Sequence, residues 1–438
     1  MNRTATAVAA VLTVVLTVAL SSSAWAQETT ASLSLEDCVR IALEHNPQMV
    51  SSAQNVAVAR AGLSQARSSY APQLTLDAAA GVNGSSGGAR PSSSQGTGAA
   101  DLILGMTFWR SGRQESVSQS RASLRSATAT FADRRLSLAQ LVSDDYYAVL
   151  AAAELVGVAK AGVGSAEQHR LQVQKQIEAG AVAAVEIHTV DDDLAQARLS
   201  LINARSTVRV ALATLTTDMG LPYTTDLQLA PSLMGADTTT PTVAEAVKTA
   251  LRTRPDLQAQ QASVEARRYG VRLAKTARGP NLDVGGQATQ SYADSDGASS
   301  SWELTAGVKW PLADGGYTRA AQSAAEANLI SSEADLQSLR NETTLEVQSA
   351  LIELDRATEG IKASEEAVTA ATARLDAAEV KYREGLGILV EVTDARQSLT
   401  SAEADNVRAR YAYQVALISL QRAMGTLPLP AADAEVQP

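Results

Sequence analysis

The stretch "SLEDCVRIALEHNPQMVSSAQNVAVARAGLSQARSSYAPQLTLD", Ser34 to Asp77, decides the fold because the chain contains it twice. At an offset of 208 residues, "TVAEAVKTALRTRPDLQAQQASVEARRYGVRLAKTARGPNLDVG" (Thr242 to Gly285) aligns with it without a gap. Val39 falls on Val247, Leu43 on Leu251, Pro47 on Pro255, Val56 on Val264 and Pro72 on Pro280. Further along the offset is 205, with Gly180 on Gly385, Glu186 on Glu391 and Met219-Gly220 on Met424-Gly425. A match this long at a nearly fixed offset means one structural design used twice. The first copy is expected over 27–222 and the second over 242–428. A linker, 223–241, joins them, and a tail, 429–438, follows.

Each copy reads as a helix, two strands and two long helices. The opening helix ends before Pro72 or Pro280, where proline forbids continuation. Period-two patterns then predict strand pairs at 74–84/101–109 and 282–292/301–310. Leu74, Leu76, Ala78, Ala80 and Val82 alternate with polar or small residues, and Leu102, Leu104, Met106 and Phe108 form one face of the second strand. In the other copy, Leu282, Val284, Gly286 and Ala288 share a face, as do Trp302, Leu304, Ala306, Val308 and Trp310. Polar loops, "NGSSGGARPSSSQGTGAA" and "YADSDGASS", join each pair.

One apolar and one polar face in segments of about ten residues is the pattern of a transmembrane β-strand. Trp109, Trp302 and Trp310 all fall in these strands, where an interfacial aromatic girdle requires them. Four strands cannot close a barrel, and lipid forbids an open edge. Several chains must therefore share one barrel.

The long helices run from Gly112 or Gly315-Gly316 to Gly180 or Gly385. Gly112 to Gly180 alone spans roughly 100 Å, against a hydrocarbon core of about 30 Å, so these helices must project from the membrane. Val347, Leu354, Ile361, Val368, Leu375 and Tyr382 recur every seven residues, with Ala350, Ala357, Ser364, Ala371, Ala378 and Gly385 three positions on. In the first copy Val142, Val149, Val156, Val163, Arg170 and Ile177 do the same, alongside Asp145, Ala152, Ala159, Ala166, Val173 and Gly180. A sustained heptad implies left-handed supercoiling against neighbours.

The chain ends and composition narrow the function. Arg3, the apolar run Ala5 to Leu20 and "AWA" (Ala24 to Ala26) predict a signal peptide over 1–26. No later run of 18 consecutive apolar residues predicts a membrane helix. The net charge of −10 argues against nucleic acid as a partner. The single cysteine, Cys38, excludes an intramolecular disulfide framework and reads as a small apolar side chain. No nucleophile with a neighbouring base, phosphate-binding loop or metal-ligand spacing is present, so neither an enzyme nor a cofactor is expected. "VEIHTVDDD" groups carboxylates with His188, but Glu186 and His188 lie two apart on a helix and diverge, so no metal site is expected. His45 and His169 have no matching constellation, and a surface or interhelical place is expected for both.

The duplicated "LEDCVRIALEHNPQM…YAPQLTLD", the strand pairs, "KWPLADGG" and "YREGLGILVEVTDARQSL" together resemble the TolC-type outer-membrane efflux proteins. The resemblance covers nearly the whole chain beyond the signal peptide, in order and in both copies. It implies an α+β membrane protein and a homotrimer. Four strands per chain would form one shared 12-stranded β-barrel, continued by a long α-helical coiled-coil barrel crossing the periplasm. It implies the outer membrane as location, and a periplasmic adaptor and an inner-membrane pump as partners, in efflux or type I secretion. A periplasmic adaptor or a structural coiled-coil protein is the rival reading, but an adaptor would be expected to carry one helical hairpin, not two.

The resemblance also assigns the far ends of the hairpins. There Gly180, Gly385 and Gly387 make the turns, and Glu186, Asp191, Asp192 and Asp193 form an acidic collar that meets the adaptor. Glu391 and Asp394 take the places of the family's acidic rings, and Tyr382 that of a tyrosine holding the entrance shut. The family's basic gate residue is replaced by Gly387, a departure. Three carboxylates meeting at an axis about 6 Å apart would repel by about 3 kcal/mol per pair at an effective dielectric of about 20. Such an entrance would favour cations.

Overall fold

The computed structural model describes residues 32–85, 93–222, 225, 227–230, 240–293 and 297–430. The expected signal peptide, most of the linker 223–241 and residues 431–438 of the tail lie outside the described residues. In order, the elements are α1 (Leu35–His45), α2 (Pro47–Ser68), β1 (Gln73–Ser85), β2 (Ser93–Arg110), α3 (Arg113–Glu178) and α4 (Glu186–Asp218). The second copy supplies α5 (Val243–Thr253), α6 (Pro255–Thr276), β3 (Asn281–Ala293), β4 (Gly297–Lys309), α7 (Tyr317–Arg383) and α8 (Leu389–Ala423).

Local chemistry sets these boundaries. Proline at the first position of α2 and α6 loses no helical hydrogen bond. Asn46 caps α2, its Oδ1 accepting from the Gln48 N–H at 2.8 Å. The same place in the second copy holds Arg254, only 5% exposed, whose guanidinium donates to Asp256 (2.7 Å), Glu346 (2.5 Å) and the Ala423 carbonyl (3.2 Å). A buried cation demands this many partners. Each long hairpin ends in the same cap. The N–H groups of Ala181 and Gly180 bond the carbonyls of Gln176 and Ile177, and those of Leu386 and Gly385 bond Lys381 and Tyr382. Gly180 (φ 74°) and Gly385 (φ 73°) take the left-handed conformation this motif needs.

The four strands form one antiparallel sheet in the order β1-β2-β3-β4. Its register sorts the side chains. Leu74 faces Leu104, which faces Gly286, which faces Leu304; Leu76, Leu102, Ala288 and Trp302 make the rung two residues on. The other face carries Thr75, Asp77, Asp101, Asp283, Gln287, Thr289, Glu303 and Thr305, with Ile103 as the exception. Large side chains on the apolar face are open: Leu74, Leu76, Leu104, Leu304 and Val308 are exposed, and Trp302 is 82% exposed.

A bulge in β2 corrects the expected face of its last residues. Thr107 pairs with Asp283 and Trp109 with Leu282, so Phe108 is the extra residue. The insertion reverses the parity and brings Trp109, not Phe108, onto the ladder of the apolar face. The strands also run longer than their apolar stretches. β2 begins at Ser93 and β4 at Gly297, because backbone pairing continues through Ser, Gly and Ala that carry no alternation.

The helices distribute between two compact units. One comprises Leu141–Thr238, Gly360–Val415 and the chain to Ala42. Within it α3 and α8 are joined by Arg410–Glu154 (2.8 Å), α3 and α4 by Arg198–Glu167 (2.9 Å), and α7 and α8 by Asn406–Ser364 (3.1 Å). Apart from the terminal glycines, no heptad residue named above is exposed. Cys38 is fully buried, and burial pushes its thiol up to about 12. The second unit comprises Leu43–Gln140, Thr239–Glu359 and Ala416–Pro438, and holds the sheet. Its core includes Leu257, Val264, Val271, Val347 and Leu420. By composition α3 holds one window apolar enough to cross a membrane, although run length predicted none. The window is rich in alanine and valine, and α3 continues well past membrane thickness at 66 residues.

Candidate functional site

The two hairpin tips lie within the first unit, where α3 turns into α4 and α7 into α8. Apolar residues hold them together. Val173, Val190 and Leu389 form a buried cluster with Ile177, Ile187 and Tyr382 packed against it, and Ala378, Val392 and Ala395 form a second one that also receives Tyr382. Because Leu389, Val392 and Ala395 point inward at i, i+3 and i+6, Glu391 and Asp394 are left together on the exposed face of α8.

Tyr382 stands between the tips. Its hydroxyl donates to Glu186 Oε2 at 3.5 Å, and its ring meets His169 edge-on at 6.3 Å between centroids. Burial, reinforced by the Glu186 carboxylate, raises the phenol pKa above its ordinary value. Gly387 lies against the same tyrosine. A Cβ there would come within 3.1 Å of Lys381 Cβ, 3.2 Å of the Tyr382 nitrogen and 3.3 Å of Glu391 Oε2. A longer side chain here would have to push these neighbours aside by a few tenths of an ångström, so the turn is tight around the glycine.

The acidic residues of the first copy do not share one face. Asp191 accepts from Arg170 Nε in an ion pair between α3 and α4. Asp192 is exposed. Asp193 is half-buried; burial raises its pKa, and the charge of Arg396 opposes the rise. His188 is exposed and Glu186 half-buried. The place equivalent to Asp394 is Thr189, so the first copy lacks the paired acids of the second.

Three residues matter that the sequence reading did not assign to the tips. Arg396 donates to the Ser165 carbonyl and to Glu379 Oε1, both at 2.8 Å, tying α8 to α3 and α7. Arg170 neutralises Asp191. His169 is interhelical and only 2% exposed. Its place three residues beyond Ala166 and four before Val173, on the heptad seam, was the available signal. Among the described residues no group of three or more His, Cys, Asp or Glu converges to hold a metal ion.

The outer membrane efflux protein family matches this chain over residues 38–221 and 246–426. The chain is 24% identical to outer membrane protein TolC of Vibrio cholerae, over 93% of both proteins. It is 28% identical to the pyoverdine export outer membrane protein OpmQ of Pseudomonas putida, over 69% of this chain and 66% of that one. In fold it is similar to the Campylobacter jejuni CmeC outer membrane channel, with a TM-score of 0.79 at 18% identity over 94% and 92% of the two chains. The outer-membrane channel OprN superposes with a TM-score of 0.77 at 20% identity over 89% of both.

Proposed function

The chain belongs to the outer membrane efflux protein family and is an outer-membrane channel for efflux; on that premise we propose that three copies form one passive conduit. The observation that carries this reading is the sheet. Its apolar face is exposed, and β1 and β4 have no further strand beside them among the described residues. A membrane tolerates neither edge, so β4 of one copy pairs with β1 of the next until the ring closes. Three copies of four strands give twelve.

The tryptophans set the depth. Trp109 lies on the Leu282 rung, Trp310 follows directly on the last residue of β4, and Trp302 lies on the Ala288 rung. Six residues of antiparallel strand separate these rungs by about 20 Å along the strand, or about 15 Å along the membrane normal at a tilt of about 40°, within the apolar band of a membrane barrel, about 25 Å tall. Trp109, Trp302 and Trp310 serve as the girdle. The helical hairpins form the periplasmic tunnel, and their tips form its entrance. Tyr382 and Glu186 act as the clasp, and Glu391 and Asp394, repeated around the axis, form acidic rings. The tips around Gly180, Gly385 and Gly387 and the exposed Asp192 meet the periplasmic adaptor of a tripartite efflux or type I secretion system, which an inner-membrane pump drives. Native mass spectrometry of detergent-purified protein tests the assembly: a trimer is expected, and a monomer from folded protein overturns it.

A further inference from the structure

We propose that His169 is a positioning residue of the gate, seating Tyr382 in the clasp while its ring is neutral and releasing it once the ring is protonated. The inference rests on reading the hairpin tips as the gate.

The imidazole is almost wholly buried on α3, and neither Nδ1 nor Nε2 has a hydrogen-bond partner. One side of the ring meets the ring of Tyr382 at 67° between planes, an edge-to-face aromatic contact. The charge nearby is already committed. Arg396 on α8 donates to Ser165 and to Glu379 on α7, and its buried Nε finds no acceptor. Glu186 on α4 accepts from Tyr382, and Asp193, also on α4, faces Arg396. On its own helix the next residue, Arg170, is taken by Asp191.

A neutral imidazole in this place acts as an aromatic filler, its two unmatched nitrogens a modest cost. An imidazolium adds a second buried cation beside Arg396, and no carboxylate is hydrogen-bonded to either ring nitrogen. Such a charge has to reach water. The ring can do so only by giving up its contact with Tyr382, whose hydroxyl then loses its alignment with Glu186.

Burial, with Arg396 adding to it, lowers the imidazole pKa to about 4, and Glu379 partly opposes the shift. The sign follows. The closed state binds the proton more weakly than a solvated imidazole of pKa about 6.5, so the closed state loses ground as pH falls from about 6.5 toward 4. At pH 5 the difference favours the open arrangement by about thirtyfold per chain.

The test uses trimers in planar bilayers between pH 7.5 and 4.5. The Glu391→Ala/Asp394→Ala background removes the acidic rings as a source of pH dependence. In that background conductance is expected to rise below about pH 6.5, and adding His169→Phe, which keeps the ring without a titratable nitrogen, abolishes the rise. A rise that survives His169→Phe overturns the proposal. Tyr382→Phe separates the two failures. If it raises conductance at pH 7.5 while the rise at low pH survives His169→Phe, only the role of His169 falls. If neither variant alters conductance, the gate reading falls and this inference with it. A further check needs no variant. The chain has three histidines, so NMR of histidine-labelled wild-type protein follows each one. A midpoint well below about pH 6.5 is expected for His169, and an ordinary titration of His169 near pH 6.5 overturns the proposal.

Discussion

Leu304 and Thr305 are neighbours in β4, and a charge should cost very different amounts at the two. Leu304 shares the apolar face with Leu74, Leu104 and Gly286 and is 74% exposed. Its rung is two residues from the Trp302 rung and four from the Trp109 rung, so about 5 Å and about 10 Å along the membrane normal from those tryptophans at a strand tilt of about 40°. An arginine there faces hydrocarbon close to the midplane, at a cost of about 2–4 kcal/mol per chain. Reaching up toward the nearer interface brings it to about 2, or about 6 kcal/mol for three chains. Thr305 points to the other face, beside Gly285 and Glu303, where an arginine meets water. Replacing Thr305 also removes its long hydroxyl contact with the Gly285 carbonyl, 3.4 Å, which costs only about 0.5 kcal/mol. Refolding from urea into lipid vesicles, read as the fraction of SDS-resistant trimer, measures both. Leu304→Arg should fold only at clearly lower urea, and Thr305→Arg should follow wild type. Equal losses, or a larger loss for Thr305→Arg, would refute the assignment of lipid-facing and water-facing sides.

Other outcomes follow from the same structure. Tyr382→Phe removes a single long hydrogen bond to Glu186, about 0.5 kcal/mol per chain, so open probability should rise about tenfold in a trimer; Glu186→Gln in the same chain should add little. Gly180→Ala should cost about 1–2 kcal/mol from its left-handed backbone alone, since nothing lies near its Cβ position. Gly425→Ala also drives a Cβ to 3.1 Å from the Arg254 backbone and should lower Tm visibly further in detergent. Asp145, the one acid on the small side of the heptad seam, lies against Asp218 and Asp144. Burial and those neighbours push its pKa up to about 7. The folded state therefore holds this proton more tightly than the unfolded chain, so the stabilisation is complete below about pH 4 and is lost as pH rises through 7. Thermal unfolding of Asp145→Asn should show a flatter decline between pH 6 and 8 than wild type, and parallel curves would contradict the assignment.

The long-range order of the fold was legible because it rests on periods. The 208-residue duplication reports a repeated design, and the alternation through Leu282 to Ala288 and the heptad from Val347 to Tyr382 report which face of each element is apolar. What escaped the sequence depends on single insertions or on partners far along the chain. Phe108 was misplaced because one extra residue reverses every later side chain, and nothing in "MTFWR" announces it. The early start of β2 was hidden by Ser, Gly and Thr, which pair their backbone without an apolar face. At the tips, Glu391 and Asp394 could be placed on one face by spacing alone. Three consecutive acids, Asp191 to Asp193, could not. Their fates depend on Arg170 and Arg396, which approach from other helices.

The account turns on an acidic entrance to a trimeric pore, and the reversal potential across a planar bilayer under a salt gradient tests it most directly. Wild-type protein should pass a small current with a potential displaced toward the cation limit, and Glu391→Ala/Asp394→Ala should move it toward zero. An unchanged potential in the double variant would place the selective constriction away from these carboxylates. No current from folded, inserted protein would contradict the proposed conduit.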